Sequence, residues 1–171
     1  MLSAKRLEDL QVPNKMDGMA NWLEVEQDAP EFAARVRSRF EAGTNKTIAT
    51  LRKDGAPRIS ASELTFTGGA ATLGMMGGSM KLLDVRRDPR IAIHSPTAEP
   101  PAGALSAAPG DAKLAGTVVE IAPPPGNSYE GAGFFRLDIT EVVLTYVGTP
   151  ADHLVVESWH ADRGWQRRTR R

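Results

Sequence analysis

The sequence predicts a mainly β domain with a few helices, in which one antiparallel sheet closes into a small barrel and helices lie against its openings. Three observations point there. From Gly43 onward the chain runs in short β-type stretches separated by turn residues. Ahead of them lies a segment with apolar residues at helical spacing. The 171 residues, 41% hydrophobic and 25% charged, have the composition of one compact domain and are too few for two independent cores. Lys plus Arg and Asp plus Glu both number 21, so the global attraction behind non-specific nucleic-acid binding is missing. With no cysteine, a disulfide framework, a thiolate zinc site and a cysteine nucleophile are excluded. No apolar run approaches the roughly 20 residues that span a bilayer, and the N-terminus lacks a secretory apolar region. The expectation is a cytoplasmic protein without a membrane or nucleic-acid partner.

Residues 1–18 hold the breakers Pro13, Asn14 and Gly18 and no sustained period. They read as an N-terminal extension, or as a peripheral arm, ahead of a single domain at 19–171, with Met19 an alternative start. Asp28-Ala-Pro-Glu31 has the spacing of a capping box, followed by Phe32, Ala33, Val36 and Phe40 on one helical face. Arg35, Arg37 and Arg39 read as the solvated face of that helix. Stretches 47–52 and 58–66 flank Lys53-Asp54-Gly55, a hairpin signal. A third strand at 70–76 places Ala71, Leu73 and Met75 on one face. Ser79 stands as N-cap of a short helix at 80–87, stopped by Asp88-Pro89 because the residue before proline avoids helical geometry. A strand at 90–95 carries Ile91 and Ile93, a Pro/Ala/Gly-rich loop covers 96–110, and a strand at 113–121 ends at a run of prolines. Phe135, Leu137 and Ile139 alternate, but the apolar parity then switches to Val142, Leu144 and Tyr146, as a β-bulge near Thr140 or Glu141 would cause. The strand at 154–159 is the last expected, and the tail with Arg163, Arg167, Arg168, Arg170 and Arg171 is expected to fray. The count is roughly seven strands and two helices.

The most informative stretch is Gly74-Met-Met-Gly-Gly-Ser-Met-Lys81, running from a strand end into a helix start. Glycines let the backbone approach a ligand, the first N–H groups of a helix favour negative charge, and Ser79 and Lys81 add a hydroxyl and an ammonium. Neither the Walker nor the Gly-x-Gly-x-x-Gly spacing is present. A phosphate site and a plain glycine turn with a capping serine both fit these residues. His94, His153 and His160 lack metal-pair spacing and an acidic cluster, so no metal is expected. Ser60 and Ser62 lack the Gly-x-Ser-x-Gly setting of a hydrolase. One of Met75 and Met76 should face the core while the other presents a polarisable surface to a ring. Trp159 and Trp165 suit packing better than a ligand wall.

Thr50-Leu-Arg-Lys-Asp-Gly-Ala-Pro-Arg-Ile-Ser60, followed by Gly78-Ser-Met-Lys-Leu-Leu-Asp-Val-Arg-Arg-Asp-Pro-Arg90, resembles the FMN-binding split-barrel family typified by pyridoxamine 5'-phosphate oxidase, especially its flavin and deazaflavin (F-420) oxidoreductase branch. The later strands at 134–143 and 154–159 are similar too. The resemblance implies a split β-barrel homodimer with FMN or the deazaflavin coenzyme F-420 in a groove at the interface. By position, Lys81 matches the phosphate-binding lysine, and Ser79 a second phosphate contact where some members have arginine. Ser60 and Thr50 would lie on strands flanking the ring system, Arg58 would add an anion contact, and Met75 and Met76 would approach the ring. The implied activity is hydride transfer between the cofactor and a small conjugated or heterocyclic substrate, with no catalytic residue assigned. The alternative is a carrier or sensor holding FMN, deazaflavin, haem or another tetrapyrrole without turnover. The segment 123–133 is shorter than the helical insertion of many relatives, which would remove part of the substrate wall.

Overall fold

In the computed structural model, residues 19–100 and 102–171 are described, so the N-terminal extension lies outside the described residues. Asn21 caps the first helix, α1 (Trp22–Asp28): its Oδ1 accepts from the Glu24 amide at 3.0 Å, and Glu24 Oε1 accepts from the Asn21 amide at 3.2 Å. This reciprocal box stands one helix earlier than the sequence predicts. Asp28 still belongs to α1, and its carboxylate accepts from Trp159 Nε1 at 2.7 Å instead of capping α2 (Pro30–Glu41), which begins at Ala29 without a side-chain cap. α2 buries Phe32, Ala33, Val36 and Phe40 as expected. Its arginines are not merely solvated. Arg35 donates to Glu157 at 2.5 Å, and Arg37 donates to Glu41, Glu26 and the Phe66 carbonyl.

Nine antiparallel strands follow among the described residues. They are β1 (Asn45–Leu51), β2 (Pro57–Glu63), β3 (Thr65–Thr67), β4 (Ala70–Met75), β5 (Arg90–His94), β6 (Asp111–Ile121), β7 (Gly133–Val147), β8 (Leu154–His160) and β9 (Gly164–Arg170), with α3 (Met80–Arg87) between β4 and β5. The β1–β2 hairpin turns at Asp54-Gly55, where Gly55 takes a φ of 84° that glycine adopts without strain. The predicted bulge is present: the β6–β7 register passes from Ala115↔Glu141 to Gly116↔Ile139, which leaves Thr140 as the extra residue and moves Val142 and Leu144 onto the core face. Gly116 permits the close crossing, since a Cβ there would stand 2.0 Å from the Asp138 carbonyl oxygen.

Three expectations are corrected. The predicted second strand breaks at Leu64, which turns into the core and separates β2 from β3. A third helix, α1, precedes the two predicted. The arginine-rich tail does not fray but pairs along β8 as β9, where charge suits an edge strand that must not recruit another. Trp22, Phe40 and Phe66 form one aromatic cluster under the helices, with centroids 4.6 and 5.9 Å apart. Phe135, Leu137, Ile139, Val142 and Leu144 of β7 fill the barrel. No helix among the described residues is long and apolar enough to cross a membrane.

The sheet runs β2-β1-β5-β6-β7-β4-β3, with β8 and β9 branching from β7. No backbone ladder joins β2 to β4, so the barrel is split along that seam.

Candidate functional site

Where backbone pairing stops, one side chain crosses the seam and a second ties α3 to β2. Ser62 Oγ donates to the Gly74 carbonyl at 3.2 Å, and Lys81 Nζ donates to the Ala61 carbonyl on the free edge of β2. Beside them opens a cavity of about 870 Å³, within the size range of small-molecule sites. β2 and β4 give it one wall with Ser62, Glu63, Gly74, Met75 and Met76, and the β6–β7 loop gives the other with Pro124, Tyr129 and Ala132. The short loop thus lines this cavity directly. That loop sits directly on the glycine turn: a Cβ on Gly77 would stand 2.6 Å from the Glu130 carbonyl oxygen. Gly78, with a φ of 72°, then swings the chain into α3.

Ser79 is the N-cap residue of α3, yet its hydroxyl caps nothing. Its Oγ is the one buried side-chain polar atom among the described residues with no hydrogen-bond partner. Such a group carries a desolvation cost that an anion or other acceptor would remove. Lys81 lies two residues on, at the cavity wall, and the first N–H groups of a helix have no partner within it.

Of the residues predicted for the site, Lys81, Met75 and Met76 come together around the cavity. Met75 is core at 2% exposure, as expected of one of the pair, and Met76 is 72% exposed. Arg58 and Thr50 turn elsewhere, to a carboxylate that sequence reasoning missed. Asp84 is 1% exposed and accepts from Arg58 Nε at 2.6 Å, Thr50 Oγ1 at 2.9 Å and Arg87 at 3.2 Å. Burial pushes its carboxyl up, but these hydrogen bonds outweigh burial and hold it below the ordinary aspartate value. The available signal was an acid between Leu82 and Val85 on the buried face of α3. Arg58, Arg87 and Asp84 line a separate cleft of about 480 Å³. Ser60, half-buried on β2 opposite Ile48, and Ser79 line neither cavity.

The remaining candidates lie outside the cavity. Trp159 is buried, and Trp165 Nε1 reaches Glu157 at 3.2 Å. His94 faces Asp111, His153 faces Asp152 and His160 faces Glu141. Among the described residues no three His, Asp or Glu side chains gather as a metal site.

No family model matches the chain, and no curated protein matches it. Solved structures do. A pyridoxamine 5'-phosphate oxidase-related, FMN-binding protein from Nostoc punctiforme superposes with a TM-score of 0.58 at 11% identity, covering 84% of this chain and 96% of that one. A putative pyridoxamine 5'-phosphate oxidase from Listeria innocua gives 0.52 at 10% identity, over 65% and 95% of the two chains. The haem-storage protein HutZ from Vibrio cholerae gives 0.50 at 13%, over 66% and 89%. The seam between β2 and β4, the nine antiparallel strands and these superpositions agree: this chain has the split-barrel fold of the pyridoxamine 5'-phosphate oxidase-like, FMN-binding proteins.

Proposed function

We propose that the chain is a dimeric, cytoplasmic oxidoreductase that holds FMN or the deazaflavin coenzyme F-420 in the β2–β4 seam. The observation that carries this reading is Lys81 on the cavity wall in the first turn of α3, two residues after the buried, unpartnered Ser79 Oγ, which itself lines neither cavity. A phosphate monoester or diester fits that setting: it offers acceptors to the hydroxyl, the ammonium and the helix N–H groups together. Lys81 binds the phosphate with Ser79 two residues before it, exposed Met76 orients the ring system, and the β6–β7 loop excludes water. The bound ring supplies hydride transfer to or from a small conjugated substrate, so no acid or base of the chain has to be invoked. Exposed Ile59, Met76, Met80 and Leu83 around the seam suit burial against a second copy of the chain, which would close the groove.

A carrier role is the second reading, favoured by the shared fold of HutZ. The cavity walls hold no histidine among the described residues, so they offer haem no imidazole ligand and suit a flavin better. The absorption spectrum of the purified protein, with extraction of its chromophore, tests the reading, because flavin, deazaflavin and haem absorb differently. A flavin or deazaflavin that is reduced and then reoxidised by an added organic acceptor is the expected result. A haem spectrum, or reduced cofactor that no organic acceptor reoxidises, would favour the carrier.

A further inference from the structure

The 870 Å³ cavity has two chemically different ends. At the α3 end the wall carries Lys81 and Met76, with Pro124, Tyr129 and Ala132 from the β6–β7 loop. At the other end β1, β2, β3 and β4 bring together Asn45, Glu63, Thr65, Thr67 and Thr72, which are a carboxylate, an amide and three hydroxyls. The strands set the separation. Lys81 reaches the Ala61 carbonyl, and Glu63 stands two residues further along β2, about 7 Å at the rise of a strand.

Glu63 is placed to meet a ligand. It is exposed on the cavity wall and directly opposite Asn45 in the β1–β2 register, so the two side chains share one face. Among the described residues no hydrogen bond reaches its carboxylate. The cation that feels its charge is Lys46, whose Nζ donates instead to the Gly43 and Thr44 carbonyls at 2.8 and 2.9 Å. Burial pushes that ammonium below its ordinary value, and the charge of Glu63 opposes the shift through space alone.

We infer that the substrate presents a protonated amine to Glu63, and that Glu63 is the residue that selects its charge. The inference rests on the reading that the cofactor phosphate lies at Lys81, which leaves the Glu63 end to the substrate. An ionised carboxylate only accepts hydrogen bonds, whereas an ammonium brings three donors, enough for Glu63, the Asn45 amide oxygen and a threonine hydroxyl together. An anionic substrate group at this end would meet like charge, which works against it.

The test uses three probes that share one ring system and end in a cation, a neutral hydroxyl and an anion: 2-naphthylmethylamine, 2-naphthalenemethanol and 2-naphthoate. They are titrated calorimetrically at neutral pH into the full-length protein, with and without saturating FMN. The amine should bind about three- to tenfold more tightly than the alcohol, and the naphthoate should bind most weakly. Glu63→Gln should abolish the gap between amine and alcohol with FMN affinity unchanged, and Glu63→Lys should reverse the order so that naphthoate binds best. Glu31→Gln, at an exposed carboxylate starting α2, should keep the wild-type order. An amine that binds no more tightly than the alcohol, or an order that survives Glu63→Gln, overturns the inference and leaves the cofactor reading intact. So does a Glu63→Gln variant that shifts the monomer–dimer balance while the amine keeps its preference, because the carboxylate then belongs to a subunit contact. Failure of FMN to bind overturns the cofactor reading instead, and the order of the probes without FMN still decides the role of Glu63.

Discussion

The two flanks of the barrel handle polar groups in opposite ways. On the β7–β8–β9 flank each strand is laddered to the next, and the buried carboxylate there, Glu157 at 1% exposure, accepts from Arg35 at 2.5 Å, Tyr146 at 2.6 Å and Trp165 at 3.2 Å. On the β2–β4 flank the ladder is missing, a single side chain, that of Ser62, crosses the seam, and Ser79 Oγ is buried with no partner. A polar group satisfied within the chain contributes to stability, and one left unsatisfied subtracts from it unless a ligand supplies the partner. The contrast therefore separates a flank that holds the fold from a flank that binds. Asp84 belongs to the first kind although it stands near the seam, because Arg58, Thr50 and Arg87 already complete it.

The largest effect should come from Asp84. Asp84→Ala strips the shared acceptor from a nearly buried arginine and a buried threonine, and should cost about 3–5 kcal/mol of stability, read from the denaturant midpoint. A loss no larger than that of an exposed surface substitution would break the assignment of Asp84 to the structural kind.

Glu157 sharpens the comparison through pH. Burial pushes its carboxyl up, but hydrogen bonds from Arg35 and Tyr146 prevail and hold it below the ordinary glutamate value. Its stabilisation is then fully present above the unfolded-state pKa of about 4.3 and disappears as the pH falls through the depressed folded value. Melting temperatures measured downward from neutral pH should fall more steeply below about pH 4 in the wild type than in Glu157→Gln. Parallel curves would mean that the carboxyl is not held ionised by its neighbours.

The smallest effect on stability is expected at Ser79. Since its hydroxyl caps nothing, Ser79→Ala should leave the midpoint unchanged or slightly raised, while FMN affinity drops by about two- to tenfold. Loss of stability without loss of affinity would make Ser79 an ordinary cap after all.

How much of this was readable from the chain depended on whether the signal was local. Asp54-Gly55 marks its own turn, Asp88-Pro89 stops its own helix, and the parity switch between Ile139 and Val142 gives away the bulge at Thr140. β9 was hidden because an edge strand exposed on most of its length shows the polar run Gln166-Arg-Arg-Thr-Arg170, with no apolar alternation to read. α1 was hidden by its seven-residue length, too short for a helical period to stand out. Within the site, the glycine turn and Lys81 form a contiguous pattern, whereas the claim of Asp84 on Thr50 and Arg58 spans 34 and 26 residues of chain. The seat of the Tyr129 loop on Gly77 likewise exists only once β4 and β7 have paired.

Lys81 and the phosphate assigned to it are the central contact of the site. Titrating FMN beside riboflavin, which has the ring system without the phosphate, into wild type and Lys81→Ala isolates that contact from the contribution of Lys81 to the seam through the Ala61 carbonyl. FMN should weaken by about tenfold to a hundredfold in Lys81→Ala while riboflavin is nearly unaffected. Equal weakening of both ligands, or of neither, would contradict the claim that the start of α3 is where the cofactor phosphate binds.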